Sequence, residues 1–208
     1  MKKINWNNLI FTCILCLMPI CIGLYFYDEL PDIMAIHFNI ENVADNFGPK
    51  NFVIFGLPII MALLQAFCCI VSDINEAQKG KTPKLVKIMK WIIPFFTIVI
   101  YMLTILVGLG KDVNIGKIIS IILGVMFMIM GNYMPKMTYE DAKGNIKPLP
   151  SNENTFKTMM RVLGYTFVFG GFATMLGVLV SNKISFILLM GMCLLVFIES
   201  TYFSLKKD

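Results

Sequence analysis

The sequence predicts an all-α membrane protein, a six-transmembrane-helix bundle with both termini cytoplasmic, and three observations carry that expectation. Six apolar stretches, 9–27, 51–71, 91–109, 116–134, 162–180 and 184–203, fill most of the 208 residues. Each approaches the ~20 residues that a helix needs to cross a hydrocarbon core. None has the strict period-2 alternation of a barrel strand, so each would satisfy its backbone internally as a helix. Finally, the basic residues fall mainly in alternate gaps. Lys2, Lys3, Lys79, Lys81, Lys84, Lys87, Lys90, Lys136, Lys143, Lys147, Lys157, Arg161, Lys206 and Lys207 lie on one side, against Lys50, Lys111, Lys117 and Lys183 on the other. The positive-inside bias puts the richer side in the cytoplasm and makes the net charge of +5 a topology signal.

The first stretch follows two lysines but leads to no small-residue cleavage site, so it reads as a retained helix rather than a signal peptide. The gap at 28–50 carries Asp28, Glu29, Asp32, Glu41 and Asp45 against one lysine and is expected to face outward. The gap at 72–90 is lysine-rich. Its segment 84–90 alternates cationic and apolar faces and should extend the third helix along the cytoplasmic interface, with lysines reaching phosphates. Tight turns at 111–115 and 181–183 pair the third helix with the fourth and the fifth with the sixth. Between them lies the cytoplasmic gap at 135–161. Gly170, Ala173 and Gly177 form a small-residue stripe on the fifth helix, suited to close packing within the bundle. Residues 1–208 thus read as a single polytopic membrane domain, multi-pass in the plasma membrane of a bacterium.

All six cysteines lie inside predicted spans and read as small apolar residues, Cys13-x-x-Cys16 included. The bilayer is an expected partner; direct nucleic-acid binding is not, because no recognition module is visible and the basic residues sit beside the membrane. No cofactor is expected. His37 is the sole histidine, and the carboxylates near it match no standard metal-ligand spacing. A hydrogen-bonded cap, with His37 and Asp45 folding the loop over the bundle mouth, is the reading adopted. No nucleophile elbow, phosphate loop or zinc-protease helix is present, so an enzyme is not expected. Glu199 reads as the only acid clearly inside an apolar run, close enough to the cytoplasmic end to reach Arg161; intramembrane carboxylates are candidates for transport.

Two motifs carry a family resemblance. Leu30-Pro31-Asp32, then His37-Phe38-Asn39, then Asp45-x-Phe47-Gly48-x-Lys50 resembles a widespread bacterial membrane domain of unknown function. Gly131-Asn132-Tyr133-Met134-Pro135-Lys136 resembles the Gly-Asn-x-x-Pro-Lys block of SdpI-type immunity proteins. The chain departs from the family at several points. Asn42 stands at a usual glycine, Lys147 at an arginine, Phe156 at a tryptophan, and Met159-Met160 at Thr-His, while Arg161 keeps its type. Lysine keeps the charge of arginine but lacks its planar fork.

The resemblance implies protection against a secreted peptide toxin and, in some members, membrane sequestration of a small cytoplasmic repressor. On that basis Pro31, Asp32, His37, Asn39, Asp45 and Lys50 are candidates for toxin recognition or for structuring the loop. Asn132, Pro135, Lys136, Lys147 and Arg161 are candidates for docking on the cytoplasmic side. Two alternatives remain: a small-molecule or ion transporter using Glu199, and a cell-envelope membrane enzyme using His37 and Asp45.

Overall fold

The computed structural model describes residues 4–79, 84–142, 149–150 and 152–206, with the backbone alone at 75–79 and 84. Among them are six helices long and apolar enough to cross a membrane: Trp6–Tyr25, Phe52–Ile74, Leu85–Gly108, Ile115–Lys136, Glu153–Gly177 and Asn182–Leu205. Large apolar side chains such as Leu63, Phe67, Phe169 and Phe197 are exposed along them. Such a surface suits lipid rather than water. The chain divides into two compact units, one of Met1–Thr82 with Val86–Ile115, the other of Pro83–Leu85 with Gly116–Asp208.

In the first unit, prolines shape all three spans. The first breaks between Leu17 and Ile20, around Pro19. The second opens with a π-helical turn, Phe52–Gly56, before its α-helix begins at Leu57. Pro58 brings no N–H to the Ile54 carbonyl, and the Tyr101 hydroxyl from the third span reaches that oxygen at 3.4 Å. The third span breaks at Lys90 and Trp91, between helices Lys84–Met89 and Ile92–Gly108. There Pro94 leaves the Lys90 carbonyl without its helical donor, and Gln65 Nε2 supplies one from the second span at 2.8 Å. Each span therefore completes the backbone that a proline left open in the other.

The second span also corrects an expectation. It runs to Ile74 and encloses Asp73, so Glu199 is not the only acid within an apolar helix. Asp73 Oδ1 lies 2.7 Å from Lys90 Nζ, both side chains nearly buried, and Asp73 Oδ2 accepts from the Asn5 N–H at 2.9 Å. Pairing makes the burial tolerable. It also brings the N-terminal segment and both ends of the 72–90 gap to one face, as alternate gaps require.

In the second unit the fifth span begins at Glu153, earlier than its apolar stretch. Asn152 caps it by accepting from the Thr155 N–H at 2.8 Å, and Glu153 pairs with Lys157 one turn on at 2.7 Å. The opposite face of that extension buries Phe156, Met159, Met160 and Leu163 with Ala142, against Tyr139, Leu149, Val196 and Phe203. The fourth and fifth spans cross at two glycine pairs. A Cβ on Gly124 would lie 2.6 Å from the Gly171 carbonyl oxygen, and one on Gly131 would lie 2.6 Å from that of Gly164. Both pairs are one heptad apart on antiparallel helices, so the backbones touch along a seam. Of the expected stripe, Gly170 receives Met192, and Gly177 receives Leu188 and Ser185 of the sixth span. The Ser185 hydroxyl donates to the Thr174 carbonyl at 2.8 Å in the same interface.

Candidate functional site

The 28–50 segment, expected as a hydrogen-bonded cap, contains a β-hairpin. Its strands are β1, Ile33–Phe38, and β2, Ala44–Pro49, paired antiparallel from Ile33 opposite Pro49 to Phe38 opposite Ala44. The register slips on either side of His37 and recovers, so Ile36 on β1 and Asp45 on β2 are extra residues. These slips turn His37 toward Asp45, with Nδ1 and Oδ1 2.5 Å apart and both side chains substantially exposed. The expected His37–Asp45 cap is therefore a cross-strand pair. Among the described residues no three His, Cys, Asp or Glu side chains converge as a metal site.

Asn39 builds the turn. Its Oδ1 accepts the N–H groups of Glu41 and Val43, each at 3.0 Å, while its own N–H donates to the Val43 carbonyl. Asn42 adopts φ +65°. Asparagine is the side chain that best tolerates this left-handed region after glycine, so the departure at the usual glycine keeps the turn. Asn42 Nδ2 also donates to the Val113 carbonyl at 3.0 Å, tying the hairpin tip to the 111–114 turn.

At the hairpin root, Lys50 acts within the fold. Its ammonium donates to the carbonyls of Leu30 at 3.0 Å and Tyr27 at 3.2 Å, past the end of the first span, and lies 4.6 Å from the Tyr27 ring centroid. It also pairs with the exposed Asp32 at 3.3 Å. A cation completing carbonyls at a helix C-terminus is favourable on both hydrogen-bond and dipole grounds. Met34 and Leu30 are buried with Val53, Ile54, Tyr101 and Ile105. Gly108 leaves room for them, since a Cβ there would lie 2.7 Å from both side chains. Pro31, exposed, sits at the start of this root. Of the six loop candidates, Asp32, His37 and Asp45 present polar groups outward, whereas Asn39 and Lys50 hold the fold.

The second group is less convergent. Asn132, Pro135, Lys136 and Arg161 are all exposed, and Lys147 lies outside the described residues. Lys136 Nζ stands 4.4 Å from the Tyr133 ring centroid. Pro135 packs on Gly164, within one turn of Arg161 on the fifth span. Phe156 and Met159-Met160, the departures from the family pattern, are core residues here, and Phe156 stacks edge-on with Tyr139. Glu199 does not pair with Arg161 among the described residues. The Thr166 hydroxyl lies 2.7 and 2.9 Å from its two carboxylate oxygens. Asp73 and Gln65 escaped the sequence reading, although a glutamine within an apolar run was a visible signal.

No curated protein and no solved structure matches the chain. Residues 14–62, which comprise most of the first span, the whole hairpin and the start of the second span, are similar to a domain of unknown function, DUF1648.

Proposed function

We propose that this is an SdpI-like immunity protein of a bacterial plasma membrane, which protects the cell from a secreted peptide toxin by binding it rather than by altering it. The hairpin faces outward in this reading and both termini face the cytoplasm, in keeping with the lysine partition. The observation that carries the reading is a hairpin fixed at root and tip that offers His37, Asp45 and Asp32 to an incoming partner. Binding groups held on a rigid scaffold lose less freedom on association. A small repressor would dock, on the same reading, at the opposite face near Lys136 and Arg161, where an acidic surface would find complementary charge. Survival of cells with and without the protein, challenged with secreted peptides, tests the proposal. Protection should leave the peptide chemically intact; cleaved peptide would place the protein among enzymes, and equal sensitivity to every peptide would remove immunity.

Transport is the second reading, favoured by the carboxylate of Glu199 held on Thr166 between the fifth and sixth spans. Solute flux into vesicles that is lost in Glu199→Gln would support it.

A further inference from the structure

We propose that the outer edge of β1 is a strand-addition site for a basic, extended peptide, an inference that rests on the immunity reading and names how its ligand is held. The Lys50 N–H donates to the Asp32 carbonyl at 2.8 Å. In an antiparallel ladder, hydrogen-bonded and non-hydrogen-bonded pairs alternate. The pairs Ile33–Pro49 and Ala35–Phe47 are therefore non-hydrogen-bonded, and their backbone groups point away from the partner strand. On β2 this edge is closed at Pro49, which has no N–H to offer. On β1 the N–H and C=O of Ile33 and Ala35 remain, and among the described residues neither meets another element's backbone.

The side chains agree with the backbone. Residues directly opposite share a face, so Ile33, Ala35, Phe47 and Pro49 lie together, while Met34 turns inward to the core. Ile33 and Phe47 are more than half exposed. The hairpin, the residues leading into it and the 111–114 turn bonded to its tip carry Asp28, Glu29, Asp32, Glu41, Asp45 and Asp112, all exposed, against Lys50 and Lys111. Lys50 is already committed to the Tyr27 and Leu30 carbonyls. An apolar strip rimmed by net negative charge beside an open edge suits a peptide with alternating apolar and cationic residues. Main-chain hydrogen bonds would hold it, and the side chains would select it.

The test uses the full chain in phosphatidylcholine nanodiscs and a fluorescent peptide of four lysine–valine repeats. A second peptide of the same sequence, N-methylated at alternate residues, keeps the side chains and loses the N–H groups along one of its two edges. Wild-type protein should bind the first peptide and bind the second roughly tenfold more weakly, the effect of losing about one net hydrogen bond. Ala35→Pro removes an outward N–H without touching the hairpin's own ladder and should weaken binding similarly, while Ala35→Val should not. Equal binding of both peptides, or no binding of the first, overturns the proposal even if Ala35→Pro fails to fold. Phe47→Trp fluorescence quenched by brominated lipid would also overturn it, because that face would then lie in the bilayer. If cells are protected equally by wild type and an abundant Ala35→Pro variant, strand addition falls and immunity stands. If the peptide binds at β1 but no secreted peptide is resisted, immunity falls and the docking edge stands.

Discussion

Gln65 Nε2 donates to the carbonyl of Lys90 at 2.8 Å, taking the place of the N–H that Pro94 lacks. The same amide lies 3.1 Å from Cys69 Sγ, and the Lys90 ammonium is paired with Asp73. One glutamine therefore holds the break in the third span against the second, beside a buried ion pair. Each component exists because another is there: proline opens a carbonyl, glutamine closes it, and the lysine at the break finds an acid.

Gln65→Leu should remove this side-chain donor from the part-buried Lys90 carbonyl. The expected loss is about 1–3 kcal/mol, read as a lower midpoint of thermal unfolding in detergent. An unchanged midpoint would mean that the break does not depend on Gln65.

Removing one member of the Asp73–Lys90 pair strands a charge that is almost fully enclosed. Lys90→Met or Asp73→Leu alone should cost about 3–5 kcal/mol, whereas the double variant should recover much of that loss. Additive losses in the double variant would show that the two residues do not act as a pair.

The glycine seam makes a contrast within one chain. Gly131→Ala would place a methyl 2.6 Å from the Gly164 carbonyl oxygen, while Gly191→Ala meets nothing within 4 Å. The first should destabilise by about 1–3 kcal/mol and the second should be close to neutral, both measured by thermal unfolding. Equal effects would show that the fourth and fifth spans do not approach as closely as the seam requires.

The hairpin residues should separate by role. Lys50→Met should lower membrane abundance, because the Tyr27 and Leu30 carbonyls lose a shared donor. His37→Ala and Asp45→Ala should stay abundant and reduce protection. Immunoblots run beside survival assays decide this; protection falling only in proportion to abundance would make the His37–Asp45 pair structural.

At the turn, Asn42→Gly should be tolerated and Asn42→Val should not, since φ +65° is strained for a β-branched residue by about 1–3 kcal/mol. Equal stability of the two variants would argue against the left-handed turn.

Fusions provide the topology test. Reporters after Lys84, Lys147 and Lys207 should read as cytoplasmic, and those within 39–46 and after Asn182 as external. An external reading at Lys147 would reverse the assignment of both candidate faces.

By itself, the sequence determined the six spans, because a bilayer demands long apolar helices and the chain contains six such runs. It also pointed to His37 and Asp45 as partners and to a close-packed glycine stripe on the fifth span. It did not reveal that 33–49 pairs as strands: the segment is short, and its register slips at Ile36 and Asp45 break the alternation that marks a strand. Nor did it place Asp73 in a helix interior, since only the approach of Lys90 across the proline break makes that position tolerable. Phe156 and Met159-Met160 looked like lost functional residues and are core, because burial there depends on Ala142, Tyr139 and the sixth span folding over them. Local patterns fix which segments enter the membrane; partners distant in sequence decide which polar groups can remain inside it.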